Sequence, residues 1–132
     1  MALSEDVSRI AGAAAQHRAP GQQVAAVLAV ETAAGERVYL AAFSDGGDGR
    51  EWLALDHDGA PVTSRERVRE AASIAALVEV AEEAVERVAE GPRVASLAYL
   101  DSIGGDAGIA GALPAIEELT HDVESNYKLE LS

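Results

Sequence analysis

Three consecutive stretches of this chain combine the residue types of β-strands with an apolar character on both sides. They span residues 22–31, 37–45 and 50–56, and short turn-forming segments separate them. Strands that are joined by short loops usually pair as antiparallel neighbours. A sheet with two apolar faces cannot leave either face in water. The sequence therefore predicts a three-stranded antiparallel meander that is covered on both faces, by helices or by a second subunit.

The two-residue period of a strand assigns each side chain to one face of this sheet. The predicted faces of the first strand are Val24, Ala26, Leu28 and Val30 against Ala25, Val27 and Ala29. Those of the second strand are Val38, Leu40 and Ala42 against Tyr39, Ala41 and Phe43, and those of the third are Trp52 and Ala54 against Leu53 and Leu55.

Helical patterns flank the meander on both sides in the sequence. Ser4 is placed to cap a first helix over about residues 5–17. Thr63 or Ser64 is placed to cap a much longer helix that runs to about Glu90, where a Gly-Pro pair supplies a stop signal.

The last third of the chain is less regular. Residues 92–103 fit a helix that begins at a proline, which we favour, but a strand fits them too. Pro114 opens a final helix, and residues 127–131 alternate like a strand that adds to a sheet edge. Together these patterns predict a single α+β domain over residues 1–132, with an N-terminal helix, the meander, the long helix and one or two further C-terminal helices packed on the sheet.

Within the long helix, residues 71–78 (AASIAALV) are apolar around the whole circumference except at Ser73, which predicts burial on all sides. The apolar stripe also changes side there. Its two parts are Val68, Ala71, Ala72 and Ala75, and then Leu77, Ala81, Ala84, Val85 and Val88. Either the two halves pack on different surfaces, or the helix is broken near Ala71. With the two-faced meander, this pattern predicts a homodimer or a larger closed oligomer.

Composition excludes several classes of function. The net charge of −13 disfavours nucleic-acid binding, which needs a clustered positive face, and binding to anionic membrane surfaces. The absence of cysteine excludes disulfides and thiolate chemistry. Glu5 and Asp6 stand where a signal peptide carries positive charge, and no apolar run reaches membrane-spanning length. We therefore expect a soluble cytoplasmic protein.

A row of carboxylates follows the apolar segment of the long helix. Glu79, Glu83, Glu86 and Glu90 project within about 60° of one another, with Glu82 slightly to the side. Several oxygens on one helix face could bind Mg²⁺ or Mn²⁺. The competing interpretation is a solvated helix face. We take Glu79, Glu82, Glu83 and Glu86 as the candidate metal ligands, and burial of Glu79 would strengthen that choice.

Residues 82–86, EEAVE, are similar to the first half of the acidic motif of the all-α nucleotide pyrophosphohydrolases of the MazG type. That resemblance implies a second acidic pair, ExxD, and a four-helix arrangement. The nearest pair here, Glu118 and Asp122, is spaced one residue too widely, and the predicted meander does not belong to an all-α fold.

Two further clusters contain residues that could bind a ligand or act in catalysis. Arg65 and Arg69 lie at the start of the long helix, where backbone N–H groups favour an anionic ligand, although Glu66 and Glu70 favour local salt bridges instead. His57 lies between two aspartates in DHDG, which suits a general base but is more typical of a plain turn.

No catalytic motif emerges from these patterns. The leading hypothesis is a small acidic non-catalytic protein, a homo-oligomeric binding or protein-interaction module without a cofactor. The alternative is a hydrolase of a phosphorylated small molecule that uses Mg²⁺ or Mn²⁺ on the helical glutamate row.

Overall fold

The computed structural model describes residues 3–46, 50–84 and 91–103. Its elements are α1 (Leu3–Ala15), β1 (Gln23–Glu31), β2 (Arg37–Ser44), β3 (Arg50–Leu55), α2 (Arg65–Ala84), β4 (Val94–Ala95) and α3 (Leu97–Ser102). The sheet order is β3-β2-β1-β4, with β1, β2 and β3 antiparallel and β4 parallel to β1. The predicted α+β class and three-stranded meander are therefore confirmed, and a fourth, parallel strand is added to them.

Helices of the same chain cover both faces of the sheet. Ile10 and Ala14 of α1 pack on one face, and α2 and α3 pack on the other. The side chains of β2 separate as the alternation predicts, with Val38 and Leu40 toward α2 and Tyr39, Ala41 and Phe43 toward α1. Trp52 and Ala54 of β3 also face α2, whereas Leu53 and Leu55 face α1. The apolar faces are thus buried within one chain and do not require a second subunit.

The strand alternation assigns Val24, near the start of β1, to the wrong face of the sheet. Val24 lies on the α1 side with Val27 and Ala29, and not on the α2 side with Leu28. The cause is a register shift in the pairing with β2 between Val24 and Ala26, which leaves Ala25 as an extra residue. Such a bulge reverses the alternation for every residue that precedes it.

The long helix α2 is unbroken, so the alternative of a break near Ala71 is wrong. Members of both parts of its apolar stripe join the same cluster, namely Val68, Ala71, Ala75 and Ala81, and Leu77 packs against it. As far as Ala81, the helix therefore packs on one surface and not on two. The side chains of Ala84, Val85 and Val88 lie outside the described residues, and for them a second burial surface stays a prediction. The expectation for residues 71–78 holds better, because all of them are buried except Ser73 and Leu77, which are partly exposed.

Residues 92–103 contain both alternatives, a strand and then a helix. Val94 and Ala95 pair with Ala29 and Val30, so the helix does not begin at Pro92 as we favoured. It begins after Ser96, whose Oγ accepts a hydrogen bond from the Tyr99 N–H at 3.1 Å. Ser96 thereby satisfies one of the free N–H groups of the first turn of α3.

The expected end of the long helix near Glu90, the helix from Pro114 and the strand at 127–131 lie outside the described residues. Within the described part of the chain, no helix has both the length and the apolar character needed to cross a bilayer.

Candidate functional site

The structure places two of the predicted metal ligands in different environments. Glu79 of α2 is exposed to solvent, whereas Glu82, three residues later on the same helix, is only 1% exposed. Burial therefore falls on Glu82 and not on Glu79, so the condition that would have strengthened a metal site at Glu79 is not met. Glu83 belongs to α2, and Glu86 lies outside the described residues.

Two side chains from later in the chain hold the Glu82 carboxylate. The Tyr99 hydroxyl of α3 donates to Oε2 at 2.7 Å. Arg93, directly before β4, forms a hydrogen-bonded ion pair with Oε1. A buried carboxylate is costly unless it is paired and hydrogen-bonded. Glu82, Arg93 and Tyr99, which we name the Glu82 cluster, join α2 to the segment that carries β4 and α3.

The Glu82 cluster also affects the ionisation of its tyrosine. Desolvation raises the pKa of Tyr99 above its usual value of 10.0, and the hydrogen bond to Glu82 and the negative charge of that carboxylate act in the same direction. The positive charge of Arg93 opposes this shift. The tyrosine is therefore a stable hydrogen-bond donor at neutral pH, which suits a structural role better than acid–base catalysis.

Metal binding at Glu82 would have to compete with these two partners, since each of its oxygens already accepts a hydrogen bond. Among the described residues there is no group of three or more His, Asp or Glu side chains that could hold a metal ion. The full set of Glu79, Glu82, Glu83 and Glu86 extends beyond those residues and stays a prediction. The four-stranded sheet is not the all-α fold that the MazG-type resemblance implies.

The charged residues at the start of α2 hold the turn between β1 and β2. Arg67 forms an ion pair with Glu36 at 3.1 Å, and Glu70 accepts a hydrogen bond from the Ala33 N–H at 2.7 Å. Arg65 and Arg69, the candidate anion ligands, are both exposed. This part of α2 therefore docks on the hairpin, and whether the two arginines bind an anion stays a prediction.

The DHDG segment forms the turn that its sequence favours. Asp56 Oδ1 accepts hydrogen bonds from the backbone N–H groups of Asp58 and Ala60, at 2.8 and 3.0 Å. The His57 carbonyl accepts a hydrogen bond from Arg9 of α1 at 2.8 Å. These contacts tie the turn to α1.

A cleft that the sequence did not predict lies beside β3. Its volume is about 310 Å³, and its lining residues are His17, Ala19, Gln22, Phe43, Glu51, Trp52, Leu53 and Pro61. Gln22 donates to the Glu51 carboxylate at 3.0 Å and accepts a hydrogen bond from the Ala19 N–H at 2.9 Å. The cleft combines residues from several separate segments, so no local pattern could have predicted it.

The first part of β1 has an open edge, which is the most distinctive surface of the described residues. On the side away from β2, the described residues pair with β1 only at Ala29 and Val30, through β4. Residues Gln23–Leu28, which we name the β1 edge, carry no charge. Ala25 and Ala26 within it are exposed. Natural edge strands are commonly protected by charged side chains or prolines, and this one has neither, although the bulge at Ala25 distorts it.

No protein-family model, curated protein or solved structure matches this chain.

Proposed function

We propose that this protein is a soluble, cytoplasmic, non-catalytic interaction module that binds a polypeptide strand along the β1 edge. The observation that supports this proposal is that, among the described residues, none pairs with the outer side of Gln23–Leu28, whose side chains are all uncharged. An open strand edge presents rows of N–H and C=O groups that an extended partner can pair with. The chain has a net charge of −13, so an acidic or neutral partner meets less electrostatic repulsion at an uncharged edge strand than on the rest of the surface.

Two features of the fold support the same proposal. Both sheet faces are already covered by α1, α2 and α3, so this sheet can gain partners at its edges, and the β1 edge is uncharged whereas the edge strand β3 carries Arg50 and Glu51. The strand behind the edge is firmly held, because β1 pairs with β2 along most of its length and packs on α1 through Val24 and Val27. A rigid edge loses little conformational entropy when a partner strand binds.

The metal-dependent hydrolase remains the competing proposal, and we rank it second because Glu82 is engaged by Arg93 and Tyr99. Calorimetric titration with Mg²⁺ and Mn²⁺ tests it directly. Binding at millimolar metal that is lost in Glu79→Gln would favour the hydrolase. Absence of binding at that concentration would remove its basis.

The interaction proposal is tested by selecting binders from a displayed library of random peptides. We expect enrichment of uncharged peptides with β-branched or aromatic residues at alternate positions, since these residues favour the extended conformation. Their binding should be weakened in Ala26→Lys, because a lysine on an edge strand opposes pairing with a further strand. The matched control is Ala34→Lys, which puts the same side chain on an exposed residue of the turn between β1 and β2.

The proposal is wrong if no extended peptides are enriched at protein concentrations at which the chain is monomeric, or if the enriched peptides bind Ala26→Lys and Ala34→Lys equally well. Far-ultraviolet circular dichroism of the two variants should match that of the wild type, which would confirm that both are folded.

A further inference from the structure

We infer that the strand bound at the β1 edge is the β1 edge of a second copy of this chain, paired antiparallel about a two-fold axis near Ala25 and Ala26. This inference rests on the proposed function and adds the identity of the partner. An antiparallel pair of identical segments is self-complementary, as a two-fold interface requires. The product is one continuous sheet with β1 of each copy at its centre.

The two ends of the β1 edge fit such a pairing. In an antiparallel pair, Gln23 of one copy lies near Leu28 of its partner, so the chain before Gln23 approaches the place where the partner's β4 begins. A turn redirects the chain just there. The Gln22 N–H donates to the Ala19 carbonyl at 3.0 Å, and Gly21 adopts the left-handed conformation with φ of +85°. The chain therefore leaves the line of β1 before it would meet the partner's β4.

At the other end, β4 begins beside Ala29, and the chain in front of it bends at Gly91, which has φ of +83°. Proline at position 92 could not donate a backbone hydrogen bond to β1. Pairing of β4 with β1 thus stops where the open edge begins. As far as the described residues show, the same six positions, Gln23–Leu28, are open for pairing in both copies.

Net charge limits the surfaces through which two copies of this chain can associate. Two molecules of charge −13 repel, so they can associate only through surfaces that bring few carboxylates together. The β1 edge meets that condition, since the first acidic residue after it is Glu31 at the far end of β1. The exposed side chains at its centre are the small residues Ala25 and Ala26, which let two backbones approach.

The test is sedimentation velocity of the full chain over a concentration series from about 1 to about 500 µM, a range that covers dissociation constants from about micromolar to a few hundred micromolar. We expect a species of twice 13.6 kDa that forms as concentration rises. Ala26→Lys should raise the dissociation constant about tenfold or more, because like charges near the axis oppose each other and lose solvent. Ala34→Lys should leave it unchanged.

A second measurement locates the contact without disturbing it by charge. The chain contains no cysteine, so a single Ala26→Cys gives one reactive thiol at the predicted axis. A short bis-maleimide should link two copies of Ala26→Cys efficiently and two copies of Ala34→Cys poorly. This measurement holds even if the lysine variant were to unfold.

The possible failures are distinguishable. A wild-type chain that stays monomeric, but whose edge still binds selected peptides, overturns the second-copy inference and leaves the interaction proposal standing. A dimer that Ala26→Lys and Ala34→Lys weaken equally, or that cross-links equally from both positions, places the contact elsewhere and overturns the inference too. Loss of both dimer and peptide binding in the wild type overturns both proposals.

Discussion

At the scale of single residues, the most unusual feature of this fold is the buried carboxylate of Glu82. It is 1% exposed, yet it carries a charge that the core could not hold without Arg93 and Tyr99. Replacement of Glu82 by glutamine keeps the shape but removes the charge that Arg93 pairs with. We expect Glu82→Gln to lower the free energy of unfolding by about 1–3 kcal/mol, since hydrogen bonds to charged groups contribute on that scale. Urea denaturation followed by the fluorescence of Trp52, the only tryptophan, measures it.

The matched control for Glu82→Gln is Glu79→Gln. It makes the same change three residues earlier on α2, at an exposed position. A change of less than about 0.5 kcal/mol is expected there, as for most surface substitutions. Equal effects of the two variants would show that the Glu82 cluster does not stabilise the fold.

Tyr99 makes a pH-dependent contribution to stability. Its pKa is raised in the folded chain, mainly by desolvation and then by Glu82, so the unfolded chain releases this proton first as pH rises. The stabilisation is thus fully present below about pH 10 and is lost as pH rises through the folded pKa. At pH 8 we expect Tyr99→Phe to be less stable than the wild type by about 1–2 kcal/mol. That difference should shrink from about pH 10 upward.

Urea denaturation of the two proteins between about pH 8 and pH 11, a range that spans the ordinary tyrosine pKa, gives the comparison. Ionisation of the other tyrosines and of lysine affects both proteins and largely cancels in the difference. A gap between wild type and Tyr99→Phe that stays constant over the whole range would contradict the predicted link.

At the scale of elements, the contact between α1 and the turn after β3 depends on one glycine. Gly59 has φ of +86°, and a Cβ added there would lie 2.9 Å from the Cβ of Ala13 in α1. Gly35, in the turn between β1 and β2, has a similar φ of +83°, but an added Cβ would meet nothing within 4 Å. Both Gly→Ala changes strain the backbone, and only Gly59→Ala also overpacks a helix contact.

We therefore expect Gly59→Ala to cost roughly 1–3 kcal/mol more than Gly35→Ala, the usual range for overpacking. Thermal or urea denaturation of the two variants side by side measures this difference, because the backbone strain is common to both. If the two variants unfold at the same denaturant concentration, α1 does not pack on this turn as closely as the structure has it.

The elements themselves were largely predictable, and the failures have specific causes. Strand alternation assigned β2 and β3 to the right faces, because each regular strand residue faces opposite to its neighbour. Val24 was misassigned because the bulge at Ala25 comes from pairing with β2, which no local pattern reports. The start of α3 was missed because Val94 and Ala95 pair with β1, a contact distant in sequence.

The candidate site was less predictable than the fold for the same physical reason. The sequence singled out the glutamate row, but helical spacing alone could not say that Glu82, rather than Glu79, lies in the core. That choice depends on Arg93 and Tyr99, which approach α2 only after the chain has formed β4 and begun α3. Within the described ranges, the unpaired outer side of Gln23–Leu28 depends likewise on the shortness of β4, a property of the assembled sheet.

At the scale of the whole molecule, the structure changes the surface at which self-association is expected. The sequence indicated the faces of the sheet, and the structure instead indicates the β1 edge. An apolar sheet with two uncovered faces would have required a partner. The chain instead covers both faces with its own helices, and the described part of it leaves the uncharged β1 edge without a paired strand. Association is therefore expected to be reversible and moderate in strength, since pairing adds hydrogen bonds along one short strand and little apolar burial.

Salt should strengthen this association. Each copy carries a charge of −13, and the predicted contact is uncharged, so electrostatics between the two copies is mainly long-range repulsion. Raising the salt concentration from about 20 mM to about 500 mM shortens the screening length to a few ångströms and removes most of that repulsion. Sedimentation velocity at both salt concentrations should give a dissociation constant several-fold lower at high salt. An interface made by ion pairs responds in the opposite sense, so a dimer that weakens with salt would contradict pairing at the β1 edge.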